Sequence, residues 1–164
     1  MSVPFTLGRH HRSGAPSLVD PRGPRVAAAL TSVVLAAALL TSSGWLLVLQ
    51  AVVFALGAAD RSPYGVLFAR LVRPHLAPPE VLEDSRPLRF AQQVGLGFAL
   101  LGLVGAATGS TILFLAATGA ALAAAALNAA FGICLGCEAY LILRRGADIP
   151  RLVSRDRALT RTEF

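Results

Sequence analysis

Two stretches of this chain carry no charged residue at all, Val26 to Ala59 and Phe90 to Cys137. A helix crossing roughly 30 Å of hydrocarbon at about 1.5 Å per residue needs about 20 residues. Each run is longer than that. Two such runs cannot be buried in a soluble core built from the rest of the chain. The composition agrees: 55% of residues are hydrophobic, 15% are charged and the mean hydropathy is +0.64, well to the apolar side of a soluble domain. The expected fold is an all-α integral membrane protein.

Each run is broken near its middle by small polar residues and glycine, Thr41-Ser42-Ser43-Gly44 in the first and Thr108-Gly109-Ser110-Thr111 in the second, which favour a turn over continued helix. The pattern predicts four transmembrane helices, Val26 to Thr41, Trp45 to Ala59, Phe90 to Ala107 and Ile112 to Phe131, arranged as two hairpins. The first two are short spans, which local thinning of the bilayer or snorkelling of flanking side chains accommodates. The first apolar stretch has the length of a span rather than of a signal-peptide core, so it is expected to be retained as a helix. The chain then divides into an N-terminal tail (1–25), a four-helix membrane domain (26–145) and a basic C-terminal tail (146–164).

Charge placement sets the expected orientation. All 15 basic residues are Arg. Four precede the first helix, five lie between Asp60 and Arg89, six follow Glu138, and neither hairpin turn has one. Arg is retained in cytoplasmic loops, so both termini and the middle loop are expected inside. Reading each run as one long helix would put the five Arg of the middle loop on the opposite side from both tails. Trp45 is expected at the outer interface, Tyr64 and Tyr140 at the inner one. Arg without Lys, and abundant Ala and Gly, suggest a GC-rich bacterial genome and hence an inner-membrane location. The net charge of +6 comes without the aromatic or glycine pattern of a nucleic-acid module, and membrane topology accounts for it better.

Pro24-Arg25-Val26-Ala27 and Leu88-Arg89-Phe90-Ala91 open the two hairpins in the same way. This fits a parallel repeat about an axis along the membrane normal, or convergence on one membrane-entry signal. Between the hairpins, Gly65 to Arg73 spaces its apolar residues as an amphipathic interfacial helix, with Arg70 and Arg73 expected to contact anionic lipid. Pro74, Pro78, Pro79 and Pro87 then impose an irregular return. Gly95, Gly97, Gly102 and Gly105, with Gly119, Ala123 and Ala126, allow close helix packing within the bundle or in a homo-oligomer. Of the carboxamides Gln50, Gln92, Gln93 and Asn128, the simple expectation is interhelical hydrogen bonding. The functional alternative has Gln92 and Asn128 lining a small polar pocket for a headgroup or a quinone. His10 and His11 are read as solvated, and His75 as incidental.

One constellation carries chemistry. Cys134-Leu135-Gly136-Cys137 holds both cysteines of the chain and falls at the end of the fourth helix. Residues three apart on a helix have Cα atoms about 5 Å apart, within the span of a disulfide. Gly132 and Gly136 are expected to loosen the backbone around the pair. Arg144, Arg145, Arg70 or Arg73 would lower a thiol pKa if brought close, while Glu138 would raise it or accept a proton. At an interface, Glu138 also has a plain role among phosphates and Arg residues. Three readings stay open for the cysteines: redox-active or sulfur-handling thiols, inert small residues, or half of a metal site that would need further ligands such as His75 or a second subunit. No metal is assigned.

Asp20-Pro21-Arg22, Ser62-Pro63, the Arg- and Pro-containing middle loop and above all Asn128 to Cys137 resemble the bacterial domain of unknown function 4395 family, over about Asp20 to Arg145. The resemblance implies a small four-helix membrane protein ending in a Phe-Gly-x-Cys-x-Gly-Cys element, often found near thioredoxin-like or rhodanese-like proteins. The functional expectation is a membrane thiol protein in which Cys134 and Cys137 exchange disulfides or relay sulfur with such a partner, a quinone serving as electron acceptor. The alternative is a non-enzymatic scaffold or small transporter subunit with inert cysteines. No Asp, Glu, Lys or Arg lies within the runs, which argues against an ion-coupled carrier.

Overall fold

The computed structural model describes residues 18–77 and 82–145. Expectations for His10, His11, Pro78, Pro79 and the tail beyond Arg145 lie outside those residues. The described chain is almost entirely helical. A two-residue strand β1 (Leu18–Val19) leads to α1 (Arg22–Thr41), α2 (Gly44–Ala58) and a short α3 (Pro63–Leu67). A second two-residue strand, β2 (Glu83–Asp84), precedes α4 (Ser85–Thr108) and α5 (Thr111–Phe131), and residues 135–145 form α6.

Both hairpin turns are where the small polar residues predict them, and side-chain and backbone chemistry explains each. Ser42 leaves α1 in the left-handed conformation (φ 50°), and Gly109 leaves α4 the same way (φ 71°). The Ser110 hydroxyl then accepts from the Leu113 amide at 3.4 Å, satisfying one free N–H of the new helix. The N-terminal boundaries differ from expectation. α1 starts at Arg22 rather than Val26, and α4 at Ser85 rather than Phe90. The carboxylate of Asp20 accepts from the Arg22 amide (3.0 Å), and that of Asp84 from the Arg86 amide (2.9 Å). Loss of charge marks where an apolar environment can begin; the aspartates mark where the helix does.

Three helices, α1, α4 and α5, are long and apolar enough to cross a membrane, and a fourth is counted when α2 is joined with Pro63–His75, from which it is bent by 78°. The expected single amphipathic helix from Gly65 to Arg73 is instead a succession of pitches: α3, a π-helical turn at Phe68–Val72, and a 3-10 turn at Arg73–His75. Ser62 caps α3 through its hydroxyl, which accepts from the Gly65 amide at 3.1 Å, and Pro63 suits the first helical position because its missing N–H would be unpaired there anyway. Phe68 is buried against Gly23 of α1, and holding that ring inward while the chain turns accounts for the widened pitch.

α1 packs on α2 and α5, and α4 packs on the same two helices, so α1 and α4 face each other across the bundle. Leu35, Leu47, Ala51, Phe54, Ala99, Phe114 and Ala121 form the buried core. Close approach depends on glycine at specific points. A methyl group at Gly105 would stand 2.5 Å from the Phe114 nitrogen, and one at Gly102 would stand 2.8 Å from both Leu47 Cδ2 and Thr118 Oγ1. Gly97 and Gly119 have open space where a Cβ would go. Among the described residues, no close approach requires glycine at these two positions. The surface is apolar, with Leu40, Trp45 and Ile112 exposed by 87%, 83% and 82% at the hairpin-turn end.

The two halves repeat each other in detail. β1 pairs with β2 antiparallel, Val19 opposite Glu83. The segment Asp20-x-Arg22-x-x-Arg25 recurs as Asp84-x-Arg86-x-x-Arg89. Arg89 Nε donates to Ala58 O at the end of α2 (3.2 Å), and Arg25 Nη2 donates to Ala130 O near the end of α5 (3.4 Å).

Candidate functional site

The cysteines do not lie on the last turn of α5, as expected, because Gly132 breaks the helix before them. Gly132 adopts φ +73°, a left-handed conformation that glycine reaches without steric cost, and its amide closes α5 on Asn128 O at 2.9 Å. α6 then begins with Cys134 as its N-cap. The Glu138 amide donates to Cys134 O at 3.0 Å, the first bond of the new helix, and the Cys137 amide donates to Cys134 Sγ at 3.3 Å. Cys134 thus holds the position that Ser62 holds at the start of α3.

Cys134 and Cys137 are joined as a disulfide, with Cα atoms 5.1 Å apart. The close pairing follows from the helical spacing, but the electrostatics follow from the cap. A sulfur at a helix N-terminus faces the positive end of the helix dipole and free amide hydrogens, which stabilise a thiolate.

Gly136 does not loosen the backbone either; it permits contact. A methyl group there would stand 2.6 Å from Ala91 Cβ and 2.7 Å from Ala91 Cα on α4. The Phe90 and Tyr140 rings, with centroids 5.7 Å apart, fasten the same two helices a turn further on. The disulfide loop is therefore seated directly on the bundle.

Beside it lies a cavity of about 360 Å³ among α1, α4, α5 and the start of α6, with Cys134, Gln92 and Asn128 among its lining residues. Gln92 and Asn128 both line this cavity, whose walls are mostly apolar rather than those of the small polar pocket given as the functional alternative. Gln50, by contrast, is a buried structural carboxamide: Nε2 donates to Thr31 Oγ1 at 3.3 Å, and Oε1 accepts from the Tyr64 hydroxyl at 3.1 Å.

Arg70 and Arg73 are exposed on the connector, and Arg73 lines a second cavity, of about 520 Å³, with Ser62 and Arg89. Neither lines the cysteine cavity. Arg144 and Arg145 are exposed on α6. Arg25 lies near the start of the cysteine segment: its Nε would stand 3.8 Å from a methyl group at Gly132, two residues before Cys134. Sequence reasoning missed it, although its recurrence as Arg89 was the available signal. Glu138 is exposed just past the pair and contributes its amide to the cap. His75 is exposed on the 3-10 turn. Among the described residues no group of three or more His, Cys, Asp or Glu is placed to hold a metal ion.

A family model described as a domain of unknown function, DUF4395, matches residues 19–145. No curated protein and no solved structure matches the chain.

Proposed function

The chain belongs to the DUF4395 family, and from that premise we propose that it is a membrane thiol protein in which Cys134 and Cys137 cycle between dithiol and disulfide in exchange with a thioredoxin-like or rhodanese-like protein. The single observation that carries this reading is the seating of the pair: Cys134 caps α6 and lines a cavity among the helices. A partner thiolate attacks one sulfur of the disulfide and releases the other as a thiolate. The second partner thiol then breaks the mixed disulfide, leaving Cys134 and Cys137 reduced and the partner oxidised. With a partner that carries a persulfide, a cysteine thiolate of the reduced pair attacks the outer sulfur; the partner's S–S bond breaks, its cysteine leaves as a thiolate, and the persulfide passes to this chain.

The setting proposed is a bacterial inner membrane crossed four times, as two parallel hairpins with both termini and the cysteines on the cytoplasmic side. The strongly exposed apolar residues at the hairpin turns, and the absence of Arg from both turns in the sequence, support it through the positive-inside rule. Arg70 and Arg73 then face anionic headgroups.

The test is thiol trapping with a membrane-impermeant maleimide in intact cells and in inverted vesicles, before and after mild oxidation. Labelling confined to inverted vesicles and reversibly lost on oxidation is the expected result. Labelling in intact cells overturns the orientation. Thiols unreactive under every condition, with function retained in a Cys134→Ser, Cys137→Ser double variant, would favour a scaffold or transporter subunit instead.

A further inference from the structure

We propose that the cavity beside Cys134 binds the ring of a membrane quinone, which is reduced by the dithiol form of the pair; this rests on the thiol reading above. The volume, about 360 Å³, falls in the range of roughly 300–1,000 Å³ typical of small-molecule sites. Among the described residues no charged side chain lines it. That excludes carriers whose phosphates would need a counter-charge and selects a neutral two-electron acceptor. The walls are apolar, with Ala27, Phe98, Ala121 and Ala124 among them, matching a ring with a hydrocarbon tail rather than a soluble oxidant.

The polar groups are of the right kind. Gln92 and Asn128 both line the cavity that Cys134 lines, and neither side chain has a hydrogen-bond partner among the described residues; the Gln92 carboxamide lies against Gly57 of α2. A carboxamide offers both N–H donors and a carbonyl acceptor. It can therefore donate to a quinone carbonyl and accept from the hydroxyl of the hydroquinone, satisfying both redox states at one place. Cys134 lines the cavity and Cys137 does not, which divides their roles. The Cys134 thiolate adds to a ring carbon, forming a C–S bond. The Cys137 thiolate then attacks Cys134 Sγ; the S–S bond forms, the C–S bond breaks, and its electron pair passes to the ring. The two protons released by the thiols complete the hydroquinone, so two thiols and one quinone give one disulfide and one hydroquinone.

The experiment uses the purified full chain in lipid nanodiscs, reduced and freed of reductant under anaerobic conditions, with a naphthoquinone bearing one isoprenoid unit as probe. Hydroquinone absorbance and loss of maleimide-reactive thiols are followed together, and the soluble oxidant diamide is run in parallel. The wild type is expected to lose two thiols per hydroquinone formed. Ala124→Phe, which fills the cavity, and Asn128→Leu, which removes a carboxamide, should each slow the quinone reaction about tenfold or more, the equivalent of one lost hydrogen bond or greater, while leaving the diamide rate unchanged. Normal diamide and dithiothreitol exchange in a wild type that makes no hydroquinone overturns the quinone and leaves the thiol reading standing. Equal quinone rates in wild type and both variants overturn the cavity as the route, as expected if a lipid chain occupies it. Thiols inert to all three reagents overturn both readings.

Discussion

Arg25 and Arg89 stand at corresponding places in the two halves of the chain, and each donates to a carbonyl at the far end of the other half: Arg25 to Ala130 O at 3.4 Å and Arg89 to Ala58 O at 3.2 Å. A guanidinium near a helix C-terminus satisfies carbonyls that lack an intrahelical donor and complements the negative end of the dipole. The two hairpins are thereby tied to each other reciprocally. They differ in what comes next. Arg89 pairs with Asp60 at 2.8 Å, whereas Arg25 adjoins Gly132, two residues before Cys134.

Removing the Arg25 charge should therefore be felt by the thiols. In the reduced protein, Arg25→Gln withdraws a cation that favours the thiolate, so the pKa of the reactive thiol rises and less thiolate exists at neutral pH. Maleimide labelling rate measured against pH should shift to higher pH, with labelling at neutral pH slowed by about three- to tenfold, equivalent to half to one pKa unit. Arg89→Gln, which removes a guanidinium held by Asp60 and Ala58 O instead, should leave the profile unmoved. An unshifted Arg25→Gln profile would remove Arg25 from the site.

Gly136 should be intolerant of any side chain. Its α-carbon faces the backbone of Ala91, which cannot step aside as a flexible side chain can. Gly136→Ala is expected to lower the thermal midpoint in detergent, by an overpacking cost of about 1–3 kcal/mol, and to accelerate reduction of the disulfide by dithiothreitol as α6 lifts from α4. An unchanged reduction rate would show that α6 is not held at this point.

The glycines of α4 are predicted to divide by position rather than by residue type. Gly105→Ala forces a methyl group onto the Phe114 backbone and should destabilise the α4–α5 hairpin by about 1–3 kcal/mol. Gly97→Ala meets nothing and should be neutral or slightly stabilising, since alanine is the better helix former by up to about 1 kcal/mol. Paired thermal unfolding curves in one detergent decide this.

Gln50→Leu should cost more than its size suggests. It removes the partner of both the Thr31 and Tyr64 hydroxyls, and a buried polar group left unpaired costs about 1–3 kcal/mol. The double variant Gln50→Leu, Tyr64→Phe should recover part of that loss by leaving fewer orphans. Additive effects of the two substitutions would mean that the bond contributes nothing.

Much of the architecture was legible in the order of the residues because it follows from local physics. Charge-free runs of sufficient length fix apolar helices, and clusters such as Thr41 to Gly44 fix the turns. The Cys134–Cys137 spacing fixes that a disulfide can form. Even the reciprocal ties had a signal, the recurrence of Asp-x-Arg-x-x-Arg, which hydropathy alone does not weigh because those residues sit outside the apolar runs.

What only the tertiary structure decided is everything that depends on which helices are neighbours. No local rule places Arg25 beside Gly132, over a hundred positions later in the chain, or brings Gln92 and Asn128 to one cavity while giving Gln50 to Thr31 and Tyr64. The break at Gly132 was half legible: glycine permits a left-handed residue, but a glycine flanked by apolar helix formers also continues a helix. The packing of Gly136 against Ala91 favours the break here, because α6 can lie on α4 only if the chain turns first. Local sequence sets which helices form and where they can stop; long-range packing selects among those stops, and with it what surrounds the two sulfurs.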